Sequence, residues 1–256
     1  MIYKLGCRAK IGKIYISQAV RLLIIHPSDF DLLGIYFEGY YYIDKCLPMG
    51  CAISCSLFKK FSPFIHWMVE QKSGLKTVDH YLDDFIFAGA PSSNDCFYID
   101  GNLFSVSREL CIPIEEKKTV GPTTGLDFLG FTIDTLHMMV KIAQDKLVRL
   151  RISLLDVLTK KKITLSNLES VTGLMLFCSK AIPSARAFIR RFYDLIASVN
   201  NIKPHYFVRI NKEVRKDVQV WLDVWSISMV IVSSLIIVDL LIILWSYTLI
   251  VLEIPS

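Results

Sequence analysis

Apolar residues in the first part of the chain form strand-like stretches and two helical patterns, separated by short polar turns. Apolar side chains at helical spacing predict a helix that follows Pro48-Met49-Gly50 and runs toward Val69. The largely apolar stretch from Val78 to Ala88 carries the adjacent pair Asp83-Asp84, which favours a hairpin that turns at the two carboxylates. The other predicted elements are strands with loops over 3–23, a Phe/Tyr-rich hairpin over 33–43 turning at Glu38-Gly39, a helix over 96–111, and short strands near 112–114 and 126–133.

The pattern changes to helices between Gln144 and Trp225, with breaks at Thr164-Leu165-Ser166, Pro183 and Pro204. Strands and helices followed by helices alone indicate two subdomains. With 53% apolar residues in 256 and ordinary counts of glycine and proline, the composition excludes a disordered or fibrous chain.

Charge is distributed unevenly along the chain. Residues 1–225 carry 29 basic and 22 acidic side chains, whereas 226–256 contain only Asp239 and Glu253. Between Lys141 and Lys216 there are 16 basic and five acidic side chains. Such a surface is suited to a polyanion, and a solvated helical face is the alternative interpretation.

The acidic pair is the first candidate for chemistry. Two adjacent carboxylates in an apolar hairpin are unfavourable unless cations neutralise them. A pair of Mg²⁺ ions would do so, and would also activate a 3′-hydroxyl and stabilise a leaving pyrophosphate. An exposed Asp-Asp turn without a ligand is the alternative, and these residues alone do not separate the two interpretations.

Three segments resemble motifs B, C and E of reverse transcriptases, in the family's order and spacing. They are Leu47-Pro48-Met49-Gly50 with Ser54 and Phe58, then Tyr81-Leu82-Asp83-Asp84, then Phe128-Leu129-Gly130-Phe131. The resemblance extends from about Ile14 to Trp225. Segments 21–27 and 37–58 are similar to retrotransposon enzymes of the gypsy and DIRS groups in particular.

The resemblance implies an α+β fold, with a right-hand polymerase palm that has a ferredoxin-like antiparallel sheet, followed by an all-α thumb and connection. It divides the chain into partial fingers and palm over 1–136, a basic helical thumb over 137–225 and a hydrophobic tail over 226–256. The implied activity is RNA-directed DNA synthesis, with an RNA or DNA template and primer, a dNTP, and Mg²⁺ as cofactor.

The resemblance also assigns roles to single residues. These roles are catalysis and metal binding for Asp83 and Asp84, catalysis near the pyrophosphate for Lys118, nucleotide binding for Val20, Met49, Gly50 and Ser54, and a primer grip for Leu129 and Gly130.

Motif A departs from the family pattern. The family has an aspartate there, followed five positions later by an aromatic residue, and this chain has Tyr15 and Val20. A phenol with an ordinary pKa of about 10 is neutral at pH 7 and a poor Mg²⁺ ligand. We therefore expect the chain to polymerise poorly or not at all. Only about fourteen residues precede this motif, so we also expect truncated fingers.

The tail is open to three interpretations. Residues 227–252 contain one charge, Asp239, and 17 Leu, Ile or Val, which is enough to cross a bilayer as an anchor. An abrupt change in composition near Trp225 is also typical of out-of-frame sequence. Buried strands are the third interpretation, because many of these residues are β-branched.

Three functions stay open at this point. The first is a reverse transcriptase by descent with an impaired site, the second a non-catalytic nucleic-acid-binding palm and thumb, and the third a tail-anchored membrane protein. The start of the chain lacks a secretory signal, so we expect an intracellular location, cytoplasmic or nuclear. The seven cysteines and five histidines show no zinc-ligand spacing, so packing or surface roles are expected for them.

Overall fold

The structure, a computed structural model, describes residues 1–199 and 205–227. Internal contacts divide the chain into two units, Met1–Leu126 and Asp127–Ser256. Apart from Ile227, the tail over 227–252 lies outside the described residues, so its three interpretations stay predictions.

The first unit combines one antiparallel sheet, a separate hairpin and two long helices. Its elements are α1 (Ile2–Leu5), β1 (Lys10–Tyr15), the 3-10 helices Ala19–Leu22 and Pro27–Leu33, β2 (Gly34–Phe37), β3 (Tyr40–Ile43), α2 (Ser54–Ser73), β4 (Val78–Tyr81), β5 (Asp84–Gly89), α3 (Asp95–Glu109), the 3-10 turn Glu116–Lys118 and β6 (Val120–Thr123).

The main sheet has the strand order β4-β5-β1-β6, and every pairing in it is antiparallel. Along the chain its elements run β1-α2-β4-β5-α3-β6, which is the ferredoxin-like β-α-β-β-α-β sequence. The predicted α+β class with a ferredoxin-like palm is therefore confirmed.

The core of this unit lies between the sheet and helices α2 and α3. Strand β5 is central, and its residues Phe85–Ala88 are fully buried. Helix α2 buries Phe58, Ile65 and Val69, whose spacing of seven and four residues places them on one face. Each of these large side chains contributes about 1.5–3 kcal/mol on burial.

The predicted hairpin over 33–43 is confirmed. Phe37 pairs with Tyr40 across a two-residue turn in which Glu38 and Gly39 both have positive φ, at 48° and 83°. Two positive φ values define the type I′ turn, whose twist matches that of the flanking strands.

The second unit contains helices, as predicted, together with short strands. Strand β7 (Gly125–Phe128) crosses the boundary between the units. The elements after it are β8 (Phe131–Asp134), β9 (Met139–Ile142), α4 (Gln144–Thr159), β10 (Lys162–Thr164), α5 (Leu165–Ser179), the 3-10 helix Pro183–Ile189, α6 (Arg190–Ala197), β11 (Phe207–Arg209) and α7 (Lys212–Ile227). Strands β7-β8-β9 form one sheet, and β10 pairs with β11.

The structure differs from the expected elements in several places. The expected strands over 3–23 reduce to β1, because Ile2–Leu5 forms α1 and, after β1, Gln18 has a left-handed φ of 50° and the chain enters a 3-10 helix. The expected strand near 112–114 is reduced to an isolated bridge between Ile114 and Ile16. Strands β10 and β11 were not predicted, since three-residue strands that pair across a long sequence interval leave no local periodic pattern.

Some of the basic residues in the second unit have internal partners. The Arg191 guanidinium binds the buried Asp217 carboxylate at 2.5 Å. The Arg215 guanidinium donates to the carbonyl oxygens of Leu158 and Lys160, which joins α7 to the end of α4. These two cations stabilise the fold, whereas the Arg190 side chain is 87% exposed.

Within the described residues, no helix combines the length and the apolar character needed to span a bilayer.

The close contact between β5 and α3 leads to a stability prediction for Gly89→Ala. A Cβ at Gly89 would lie 2.5 Å from the backbone nitrogen of Cys96, and backbone cannot move aside cheaply. We expect a loss of about 1–3 kcal/mol in the free energy of unfolding, measured by urea denaturation.

Gly101→Ala is the matched control for this prediction. Gly101 lies in α3, and a Cβ there meets nothing within 4 Å. Because alanine favours a helix over glycine by up to about 1 kcal/mol, this variant should be as stable as the natural chain or more so. Equal stability of the two alanine variants would contradict the contact.

Candidate functional site

The two adjacent carboxylates lie at the turn between β4 and β5. Tyr81 pairs with Asp84, so the turn consists of Leu82 and Asp83. Leu82 has a left-handed φ of 54°, a backbone conformation that costs a leucine about 1–2 kcal/mol. Strain of this kind concentrates at functional sites, and here it holds Asp83 and Asp84 side by side at the end of the sheet.

Strand β1 brings Tyr15 to the same place. Tyr15 is directly opposite Asp84 in the antiparallel register, and the next residue, Ile16, donates its N–H to the Asp83 carbonyl at 2.9 Å. The motif A position and the acidic pair are therefore neighbours, although 67 residues separate Tyr15 from Leu82 in the sequence.

The Tyr15 phenol donates a hydrogen bond to the Asp83 carboxylate. This bond, together with partial burial and the negative charges of Asp83, Asp84 and Glu115, raises the pKa of Tyr15 to about 12. The phenol therefore stays protonated at neutral pH and occupies part of the acceptor capacity of Asp83.

The Asp84 carboxyl is partly buried at the turn. Burial, and then the charge of Asp83, raise the pKa of Asp84 to about 6, while Lys13 and Lys118 oppose that rise. The turn is thus short of positive charge, as expected for two carboxylates placed together in a partly apolar site.

Lys118 also lies at this site. Its ammonium nitrogen is 4.0 Å from the centroid of the Tyr15 ring, within the range of a cation–π interaction. The 3-10 turn that carries it is held in place because the Glu115 N–H donates to the Tyr15 carbonyl at 2.9 Å. The structure therefore brings together Tyr15, Asp83, Asp84 and Lys118.

The residues expected to bind nucleotide occupy the segments before and at the start of α2, and the 3-10 helix after β1. Val20 is half-buried against the core, and Met49 is 67% exposed. Gly50 has a φ of 88°, which favours glycine, and a Cβ there would meet nothing within 4 Å. Ser54 is buried, and its hydroxyl donates to the Pro48 carbonyl at 2.7 Å, which fixes the loop before the helix.

The expected primer-grip residues lie in the second unit, at the turn between β7 and β8. Leu129 and Gly130 both have positive φ, at 49° and 82°. A Cβ at Gly130 would lie 2.9 Å from the Phe177 ring, which stacks on Phe131 at a centroid distance of 4.6 Å. Glycine is therefore required at this turn by backbone conformation and by space.

The acidic turn offers only part of a ligand set for Mg²⁺. The carboxylates of Asp83 and Asp84 are suitable oxygen ligands, but the neighbouring side chain of Tyr15 is a neutral phenol. Within 1–199 and 205–227, no third His, Cys, Asp or Glu joins this pair in a group with shared metal-ligand spacing. These residues suit one weakly held divalent ion and do not complete a two-ion site.

Sequence reasoning missed a second group. His66, Asp79 and His80 place their ligand atoms within 4.8 Å of one another. The five histidines had been assigned packing or surface roles because they are isolated in sequence. Only the packing of α2 beside β4 brings His66 to His80, so no local motif could have indicated this group.

No family model matches the chain. Curated relatives are nevertheless detectable. The chain is 27% identical over 135 residues to protein P of duck hepatitis B virus (strain Germany/DHBV-3), covering 52% of this chain and 17% of the relative. It is 27% identical over 182 residues to the Pro-Pol polyprotein of feline foamy virus, covering 70% of this chain and 14% of the relative. The chain thus spans about a sixth of the length of these relatives.

Solved structures match over most of the chain. The foamy viral protease-reverse transcriptase in complex with double-stranded DNA has a TM-score of 0.67 at 17% identity, covering 86% of this chain and 35% of that one. The same kind of enzyme in complex with an RNA/DNA hybrid has a TM-score of 0.64 at 17% identity, covering 88% and 29%. The resemblance to retroelement reverse transcriptases is therefore confirmed, and this chain has the reverse transcriptase fold.

Proposed function

We propose that this chain is a nucleic-acid-binding reverse transcriptase domain in which Tyr15 disables nucleotidyl transfer. One observation carries the proposal: the position opposite Asp84 in the sheet holds a phenol, whose pKa is raised to about 12, and not a carboxylate. The family resemblance gives that position a metal-binding aspartate.

Metal-assisted nucleotidyl transfer needs negatively charged metal ligands. Mg²⁺, when held by carboxylates, supplies electrostatic stabilisation of the reacting phosphate and lowers the pKa of an attacking hydroxyl. Tyr15 contributes no negative charge, because its pKa of about 12 keeps the phenol protonated. The Lys118 ammonium lies over the ring of Tyr15 and partly compensates the charge of the carboxylates. A neutral phenol and one ammonium therefore adjoin the two carboxylates, and positive charge at the turn stays in deficit.

The residues that the resemblance assigns to the nucleotide have features that suit nucleotide binding. Gly50 leaves open space above its backbone, and buried Ser54 fixes the loop that carries it. We propose that Val20, Met49, Gly50 and Ser54 bind the nucleotide and that Leu129 and Gly130 contact the primer strand.

Positive charge in the second unit supports a nucleic-acid partner. Lys161, Lys162 and Arg190 are exposed. The foamy viral reverse transcriptases with this fold are bound to double-stranded DNA and to an RNA/DNA hybrid. We propose the same two classes of ligand for this chain.

The first prediction concerns primer extension. The full chain, given an RNA template, a DNA primer, dNTPs and Mg²⁺, should extend the primer at least about 100-fold more slowly than Tyr15→Asp, because loss of even an outer-shell metal contact costs roughly 10–100-fold. Tyr15→Phe, which removes the hydroxyl without adding a charge, is the matched control and should stay inactive. Extension by the natural chain at a rate close to that of Tyr15→Asp, and lost in Asp83→Ala, would refute the disabling role of Tyr15, and so would inactivity of Tyr15→Asp.

The second prediction concerns metal-dependent stability. Tyr15→Asp places a third carboxylate beside Asp83 and Asp84, so its melting temperature in EDTA should lie below that of the natural chain. Saturating Mg²⁺ should raise the melting temperature of Tyr15→Asp more than that of the natural chain. A ligand at a concentration of 100 times its dissociation constant stabilises the folded state by about 2.7 kcal/mol. Tyr15→Asn carries no charge and should respond as the natural chain does. Equal Mg²⁺ responses in all three proteins would contradict the proposed carboxylate site.

The third prediction separates exposed cations from structural ones. Binding of an RNA/DNA hybrid can be measured by fluorescence anisotropy at increasing salt concentrations. The slope of log affinity against log salt should be smaller in magnitude by about two to three in the triple variant Lys161→Gln, Lys162→Gln, Arg190→Gln than in the natural chain. Folding stability of that variant should be unchanged.

Arg191→Gln is the contrast variant. It leaves the buried Asp217 carboxylate without its cation, so the free energy of unfolding should fall by about 1–3 kcal/mol.

An unchanged salt slope in the triple variant would place the nucleic-acid contact elsewhere on the chain.

A further inference from the structure

Helix α2 and the edge strand β4 bring two imidazoles and a carboxylate together, apart from the acidic turn. His66 lies in the second half of α2, and Asp79 and His80 are neighbours on β4. Their ligand atoms lie within 4.8 Å of one another, and all three residues are partly buried. In the described part of the chain, no other group of three His, Cys, Asp or Glu side chains has such spacing.

The two imidazoles already meet through their δ nitrogens. The Nδ1 atoms of His66 and His80 are 2.8 Å apart, and the rings meet edge to face with centroids 4.9 Å apart. Two N–H groups cannot donate to each other, so at least one of these nitrogens presents a lone pair. The buried Phe85 ring stacks on His80 at 5.3 Å and fixes the orientation of that ring.

Two further atoms of the group are positioned by neighbours. The Nε2 atom of His66 lies 3.5 Å from the Glu70 carboxylate, one helical turn later on α2. One oxygen of the Asp79 carboxylate accepts the N–H of the next residue, His80, at 2.8 Å. A ligating histidine whose second nitrogen faces a carboxylate is the usual outer-shell arrangement around zinc in proteins.

We propose that His66, His80 and Asp79 form a binding site for a zinc-type divalent cation that joins α2 to β4. Two imidazole nitrogens and one carboxylate oxygen form a donor set that suits zinc, with water in the fourth position, and does not suit Mg²⁺, which takes oxygen ligands. Tetrahedral zinc at about 2.0–2.1 Å from each nitrogen needs the nitrogens about 3.3 Å apart. The present separation of 2.8 Å requires only a small opening of the pair.

The site has a structural consequence for the acidic turn. Strand β4 leads directly into Leu82 and Asp83, and α2 begins at Ser54 after the loop that contains Gly50. A cation between α2 and β4 therefore ties the helix that follows this loop to the hairpin that carries the carboxylates. This inference is independent of the polymerase proposal, because it concerns different residues and a different class of ion.

The test is a titration of the full chain with Zn²⁺ and, separately, with Co²⁺ as a spectroscopic substitute. Zn²⁺ should raise the melting temperature, and Co²⁺ should give visible absorption bands typical of four-coordinate nitrogen and oxygen ligation. Mg²⁺ at the same concentrations should do neither at this site. His66→Gln and Asp79→Asn should each weaken the affinity for Zn²⁺ by more than about 100-fold, measured by competition with a chelator.

His137→Gln is the matched control. His137 faces the Asp134 carboxylate at 2.8 Å in the second unit and is exposed, so this variant removes a histidine–carboxylate pair outside the proposed site. It should keep the full response to Zn²⁺. Because the chain has seven free cysteines, the comparison between variants, and not binding alone, identifies the site.

Glu70→Gln gives a second readout that does not depend on removing a ligand. It should fold normally by circular dichroism and weaken zinc affinity by about 10–100-fold, since Glu70 acts through the orientation of His66. The proposal is overturned if His66→Gln or Asp79→Asn folds and binds Zn²⁺ as the natural chain does. If neither variant folds, an unchanged affinity in Glu70→Gln overturns it instead.

Discussion

The meeting of β1 with the β4–β5 turn is the constraint on which the functional geometry depends. Two adjacent carboxylates in a partly buried turn repel each other, and the raised pKa of Asp84, about 6, reflects burial together with that repulsion. A reverse transcriptase would relieve this repulsion with metal ions and a third carboxylate. Here the phenol of Tyr15 lies opposite Asp84 and the Lys118 ammonium lies over its ring, so a neutral side chain and one cation adjoin the two carboxylates.

Much of the palm was predictable because its signals are local. The hairpin at Glu38-Gly39 follows from its turn residues, and α2 follows from its apolar spacing. The pairing of β10 with β11 was not predictable, because three-residue strands separated by several helices leave no periodic pattern. The contact between His66 and His80 was missed for a related reason, since it depends on which face of α2 packs beside an edge strand.

Charge composition identified the basic region but could not assign roles within it. Arg190 and Arg191 are adjacent and identical in type, yet one side chain is 87% exposed and the other binds a buried carboxylate. Neighbours on a helix point in directions about 100° apart, so an exposed cation and a cation that binds a buried carboxylate occur side by side. A count of positive residues therefore overestimates the surface available to a polyanion, and Arg215, which donates to two carbonyl oxygens, illustrates the same point.

The β4–β5 hairpin separates two kinds of donor within a few residues. The turn presents the carboxylates Asp83 and Asp84, whose oxygens suit Mg²⁺. The strand before the turn presents His80 beside His66, whose nitrogens suit zinc. Because donor chemistry selects the ion, occupation of one place does not require occupation of the other. The donors of the histidine group are thus chemically distinct from those of the turn, whichever residue lies opposite Asp84.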